Sequence, residues 1–108
     1  FELSWGNLER ALDINPSDET ALDLLVEWGV KESKFDILID RLELFLQAQP
    51  HHIHMKETLV KVLLVGGRVK KAEQLLDAIV KEDPRNSAMQ EMLKILKQNN
   101  QLHGAVSD

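Results

Sequence analysis

The sequence predicts an all-α protein in which repeated helical units stack into a solenoid. Its only three prolines, Pro16, Pro50 and Pro84, are evenly spaced along the chain. Each proline follows a segment whose apolar residues recur at helical spacing. Turn-forming residues separate these segments. A fixed period of the length that separates these prolines is typical of helical repeats that bury their apolar faces against one another.

Composition sets limits on the class of protein. The 108 residues are enough for one domain, and 44% hydrophobic with 29% charged residues is typical of a globular chain. A net charge of −5 disfavours nucleic-acid binding. No apolar run approaches the roughly 20 residues that span a bilayer. The absence of cysteine excludes disulfides and thiolate chemistry.

The chain begins with Phe1 and no secretory segment opens it. This start is consistent with an excerpt of a longer protein or with a processed form. Localisation is therefore left open by the sequence, with the cytoplasm favoured.

Three helices are predicted before the second proline, over residues 1–15, 19–32 and 35–49. Ser17 or Asp18 can accept hydrogen bonds from the free N–H groups that start the second helix. Gly29 lies on the apolar face of that helix, where glycine costs about 1 kcal/mol relative to alanine, so a packing reason is expected. Ser33 and Asp36 have the spacing of a capping box for the third helix.

Three further helices are predicted, over residues 53–65, 69–82 and 87–98. Gly66 and Gly67 should end the fourth helix, because glycine adopts positive φ without steric cost. Asn86 or Ser87 is expected to cap the sixth. Residues 99–108 show no apolar periodicity and are predicted to form a flexible tail.

Helix pairs that repeat at the interval of these prolines, each pair closing with one, resemble the tetratricopeptide repeat. The resemblance implies a right-handed superhelical solenoid of about six helices in antiparallel pairs. It divides residues 1–98 into a half repeat 1–18, a repeat 19–52, a repeat 53–86 and a closing helix 87–98. In the second full repeat the residues that fit the family pattern are Leu59, Val60, Leu63, Gly67, Val69, Ala72, Leu76, Ile79 and Pro84.

The first full repeat departs from the family pattern. Leu22, Leu25 and Phe35 fit it, but the chain contains no tyrosine, and Gly29 stands where the family has that residue. Leu38 and Phe45 supply bulk where the family has small residues. We interpret these departures as volume exchanged between neighbouring helices, because cores tolerate swaps that conserve total volume.

The resemblance also implies a concave surface, lined by the first helix of each pair, that binds a peptide or a partner segment. The positions carried over to this chain are Thr20, Asp23, Glu27, Val30, Lys31, His54, Glu57, Lys61, Leu64, Val65, Ala88, Glu91 and Ile95. The several carboxylates disfavour an acidic ligand through like-charge repulsion. They favour a ligand with apolar anchors and one or two basic residues. The alternative is an ordinary solvated helix face.

Two other functions stay open. The first helix lacks a partner, which leaves Phe1, Leu3 and Trp5 with apolar surface to cover, so this edge is a candidate for homo-oligomerisation in a structural spacer. The repeats could instead regulate an adjoining catalytic domain. Trp28, on the first helix of its pair, is a candidate interface residue.

No catalytic or cofactor-binding pattern is present. There is no nucleophile elbow, no Gly-rich phosphate loop and no HExxH motif, so neither enzyme activity nor a cofactor is expected. His51, His52 and His54 cluster, but a structural zinc site normally needs four ligands and the remaining histidine, His103, lies in the tail. We therefore predict turn and helix-start roles for these histidines, with no physiological metal.

Overall fold

A computed structural model describes the backbone of residues 4–107 and the side chains of residues 4–98. Six α-helices occupy this range, and no strand is found in it. The helices are α1 (Trp5–Ile14), α2 (Glu19–Lys31), α3 (Phe35–Ala48), α4 (Ile53–Val65), α5 (Val69–Glu82) and α6 (Ser87–Ser107). The predicted all-α class and the number of helices are confirmed.

Two helix bounds differ from the prediction by more than two residues. Helix α1 begins at Trp5 because the Ser4 side chain accepts from the N–H of Asn7 and caps it there. Helix α6 was expected to end at residue 98, but its backbone stays helical to Ser107. That prediction followed the apolar stripe, which ends at Leu96, whereas helical hydrogen bonds need no apolar partner. The division into repeats and a flexible tail stays a prediction.

The helices form an elongated stack with extents of 52 × 29 × 18 Å. Each helix packs on the next one in sequence, and α2 also contacts α4. One buried cluster runs from Leu8 in α1 to Ala72 in α5. A second cluster continues from Val60 in α4 to Leu93 in α6. A continuous core between neighbouring units is what a solenoid requires, while the handedness of its superhelix stays a prediction.

Close packing against α3 explains why glycine occupies position 29 of α2, as its place on the apolar face predicted. A Cβ atom on Gly29 would lie 2.7 Å from Cδ2 and 2.8 Å from Cδ1 of Leu38 in α3. Leu38 is fully buried, so its side chain has little room to withdraw. The exchange of volume between these two helices is therefore confirmed: the leucine occupies the space that a larger residue on α2 would need.

Both full helix pairs turn through the same hydrogen-bonded motif. Ser33 and Gly67, one repeat apart, both have positive φ, of 57° and 81°. After α2 the N–H of Ser33 donates to Val30 O and that of Lys34 donates to Gly29 O. The N–H groups of Gly67 and Arg68 make the equivalent bonds after α4, to Leu64 O and Leu63 O. These are the two bonds of a Schellman motif.

The predicted capping box at Ser33 and Asp36 is wrong. Lys34 is the residue that precedes α3, and it makes no side-chain capping bond. Ser33 has a left-handed backbone because it ends α2, so it cannot also cap α3. The Asp36 carboxylate is instead paired with Arg68 in the turn after α4.

Substitutions at these two equivalent turn positions are expected to change the free energy of unfolding in opposite directions. Ser33→Gly is expected to raise the free energy of unfolding by about 0.5–1 kcal/mol, because glycine lacks the Cβ that disfavours positive φ. Gly67→Ser should lower it by a similar amount. Denaturant unfolding of both variants measures the difference. A stabilising Gly67→Ser would contradict this explanation, since a Cβ there would meet no atom within 4 Å.

Polar side chains also cap three of the later helices. Asp18 accepts from the N–H of Ala21 at 3.1 Å, which decides between the two predicted caps of α2. The Asn86 side chain accepts from the N–H of Met89 at 3.3 Å at the start of α6. Helix α4 is capped by His52, a residue that preference rules for caps do not suggest.

Candidate peptide-binding surface

The residues carried over from the family's binding surface, here called the first-helix row, lie on α2, α4 and α6. None of them is buried. The row includes Val65, which is 60% exposed, and Ile95, which is 51% exposed. Large apolar side chains left this accessible are available to a partner. The role of the row in binding stays a prediction.

Part of the row is engaged within the chain. His54 Nε2 lies 3.3 Å from Asp23 Oδ1, which links α4 to α2. Glu57 accepts a hydrogen bond from Asn86 Nδ2 at 3.1 Å, which links α4 to the start of α6. For these residues the alternative role, interhelix contact on a solvated face, is supported. Within residues 4–98, Glu27 and Glu91 make no such bond or ion pair.

Each of the three clustered histidines contacts a different carboxylate. His51 Nδ1 lies 2.7 Å from Glu82, His52 Nε2 contacts Glu19, and His54 contacts Asp23. Because His52 Nδ1 accepts from the N–H of Met55, its hydrogen is on Nε2, where it is donated to Glu19. Among the described residues, no group of three or more metal-ligating side chains is placed to hold an ion.

Sequence reasoning missed a buried lysine at the interface of α4 and α5. Lys56 is 9% exposed, and its Nζ donates to Glu82 Oε2 at 2.5 Å. The hydrogen bonds from Lys56 and, next, from His51 hold the pKa of Glu82 below its ordinary value of 4.5. A signal was present, because Lys56 stands one repeat after Leu22, at a position that is apolar in the first repeat.

This arrangement predicts an acid-sensitive contribution to stability. A carboxylate whose folded pKa is lowered stabilises the fold above its unfolded pKa, about 4.5, and loses that effect as the pH falls through the folded pKa. Glu82→Gln should therefore melt below the parent chain at neutral pH, and the gap should close on acidification. Thermal melts from about pH 3 to about pH 7 test this. Glu91→Gln is the control, and a gap that widens in acid contradicts the prediction.

The two tryptophans pack together at the start of the stack. The rings of Trp5 and Trp28 meet edge to face with centroids 6.2 Å apart. Lys34 Nζ lies 4.6 Å from the centroid of the Trp5 ring, a cation–π contact. Trp5 of the predicted oligomer edge is thus half-buried within its own chain, while Phe1 and Leu3 lie outside the described residues. The large apolar residue that α1 exposes is Ile14, at 81%.

No helix in the described part of the chain has the length and apolar character that crossing a membrane requires.

Comparison with known proteins identifies the family of this chain. No curated protein and no solved structure matches the chain significantly. A family model described as tetratricopeptide repeat matches residues 39–96, from α3 into α6. Because this match covers more than half of a chain whose helix pairs recur with its evenly spaced prolines, the protein belongs to the tetratricopeptide repeat family.

Proposed function

We propose that the first-helix row binds a peptide or an extended segment of a partner protein. Tetratricopeptide repeats commonly mediate protein–protein interactions and are generally non-catalytic. The observation that supports the proposal most directly is the exposure of Val65 and Ile95, the two large apolar side chains of the row that are exposed, at 60% and 51%. These residues provide the apolar contacts that anchor a peptide side chain.

The charges of the row favour a ligand that carries basic residues. Glu27 and Glu91 are exposed and make no ion pair within residues 4–98. A basic side chain near them gains Coulomb energy, whereas a carboxylate is repelled. Lys31 and Lys61 moderate this preference. The partner is therefore proposed to combine apolar anchors with one or two basic residues, and the module is proposed to serve a larger scaffold or assembly protein.

A library of displayed random peptides, selected on the folded chain, tests the binding surface. The selected peptides should lose about tenfold in affinity for Val65→Ser/Ile95→Ser, because each loses part of the roughly 1.5–3 kcal/mol that burying such a side chain provides. The matched control is Ile37→Ser/Leu44→Ser on α3, which removes two residues that are 37% and 45% exposed. Loss of binding in the control and not in the first variant would contradict the proposal.

The charge preference has a separate test. Glu27→Lys/Glu91→Lys should weaken the selected basic peptides and leave peptides with a free carboxylate unchanged or tighter bound. This pair is preferable to one that includes Glu57, whose carboxylate accepts from Asn86 and so also joins two helices. Peptides that bind the double variant as well as the parent chain would mean that the carboxylates do not select the ligand.

A second candidate function, self-association through α1, is favoured by the 81% exposure of Ile14. Light scattering over a concentration series should then show a dimer that Ile14→Ser dissociates. Deleting α1 is a poor test, because Leu8 and Leu12 belong to the buried core. A monomer at all concentrations would remove this candidate and leave the first-helix row as the surface to screen.

A further inference from the structure

An open pocket of about 380 Å³ lies along the C-terminal half of α2. Its lining residues are Leu24, Glu27, Trp28, Lys31 and Glu32. Glu27 and Lys31 belong to the first-helix row, whereas the other three do not. The pocket therefore extends that row toward the tryptophan pair at the start of the stack.

The apolar part of this pocket is anchored in the core. Leu24 and Trp28 are half-buried and pack against the main buried cluster. Trp28 is further held by its edge-to-face contact with Trp5, at 6.2 Å between centroids. A ring held in this way presents its remaining surface without a large loss of side-chain entropy on binding.

The tryptophan pair already accepts one cation. Lys34 Nζ lies 4.6 Å from the centroid of Trp5, the ring that packs against Trp28. Cations are attracted to the negative face of an indole, and an arginine guanidinium stacks there as well as an ammonium. The Trp5 ring of this pair makes such a contact within the chain.

The polar part of the pocket carries two carboxylates that have no partner among the side chains the structure describes. Within residues 4–98, neither Glu27 nor Glu32 takes part in an ion pair, in contrast to Glu19, Asp23 and Asp36. The surroundings add to the negative charge, since residues 1–50 hold 11 of the 18 acidic side chains and 4 of the 13 basic ones. Lys31 in the pocket and Lys34 beside Trp5 oppose this charge, within a half of the chain that keeps an acidic excess.

We propose that this pocket binds an arginine side chain of the partner, with the guanidinium stacked on Trp28 and paired with Glu27 or Glu32. Arginine fits better than lysine because its planar group both stacks on a ring and pairs with a carboxylate through two hydrogen bonds. The inference rests on the proposed function, because it names one residue of the peptide that the first-helix row would hold.

The two tryptophans give a direct readout, because each supplies one indole N–H group. The indole N–H signal of Trp28 in a ¹H–¹⁵N spectrum, assigned with Trp5→Phe, reports on this pocket, because Trp28 lines it. The probe is the capped peptide acetyl-Leu-Arg-Leu-amide. Its control is the same peptide with citrulline, which keeps the shape of arginine and lacks its charge. The Trp28 signal should shift saturably with the arginine peptide and much less with the citrulline peptide.

Charge variants then test the pairing. Glu27→Gln/Glu32→Gln should weaken the arginine peptide about two- to fivefold, and Lys31→Gln should tighten it. Asp83→Asn, in the turn after α5 and outside both the first-helix row and this pocket, should leave it unchanged. Equal shifts with the two peptides, or unchanged affinity in the Glu27/Glu32 variant, would overturn the proposal. Library peptides that bind through Val65 and Ile95 without arginine would overturn it while leaving the proposed function intact.

Discussion

Replacing Gly29 by leucine is expected to lower the free energy of unfolding by about 1–3 kcal/mol, the range observed for overpacked cores. The Cβ alone would lie 2.7 Å from Leu38 Cδ2, and Leu38 is fully buried. Urea or thermal unfolding measures the loss. The control is Gly6→Leu in α1, where a Cβ meets nothing within 4 Å and the better helix propensity should be neutral or stabilising.

A double-mutant cycle tests whether the loss arises from this contact. Leu38→Ala alone should cost about 2–5 kcal/mol, as for other buried leucines. Combining it with Gly29→Leu should cost less than the sum by about 0.5–3 kcal/mol, because the new leucine fills part of the cavity. Additive losses, or an unchanged melting temperature for Gly29→Leu, would show that the two positions are not coupled.

Phe45→Ala is expected to cost about 3–5 kcal/mol, a large share of the roughly 5–15 kcal/mol that stabilises a domain of this size. The family resemblance alone would suggest a benign change, because small residues are usual at this position. In this chain, however, Phe45 is completely buried, and its ring packs edge to face on His52 with centroids 5.0 Å apart. Removing it leaves a cavity between α3 and the start of α4.

Leu44→Ala is the matched control for Phe45→Ala. Leu44 is the adjacent residue of the same helix and is 45% exposed, so its truncation should change stability by no more than about 0.5 kcal/mol. Chemical denaturation of the two variants gives the comparison. If Phe45→Ala unfolded at the same denaturant concentration as the parent chain, the core would not depend on this ring.

The sequence predicted most of the fold because its signals were mutually consistent. The even spacing of the prolines, the apolar stripes and the turn residues all placed the helices close to their observed bounds, except at the start of α1 and the end of α6. The volume exchange at Gly29 and Leu38 was also predicted, because these two residues depart from the family pattern in opposite directions, one with less bulk and one with more. Local and global signals that agree are typical of a sequence that specifies one fold.

Side-chain partners across helices were harder to predict. Lys56 was overlooked because apolar periodicity does not register a lysine whose charge is matched by Glu82, 26 residues later. The histidines were assigned correctly to turns and helix starts, but their carboxylate partners lie 31 to 33 residues away. Ser33 was misassigned because capping-box spacing says nothing about φ, which the end of the preceding helix determines here.

The packing of each helix on the next has a consequence for how the chain folds. Contacts in such a stack join residues that are near in sequence, so little loop-closure entropy must be lost before they form, and folding should be fast. Adjacent pairs can nucleate separately and then propagate along the stack. Helices α3 and α4, which lie in the middle of the stack, should retain their amide hydrogens longest, and exchange should proceed inward from the two ends.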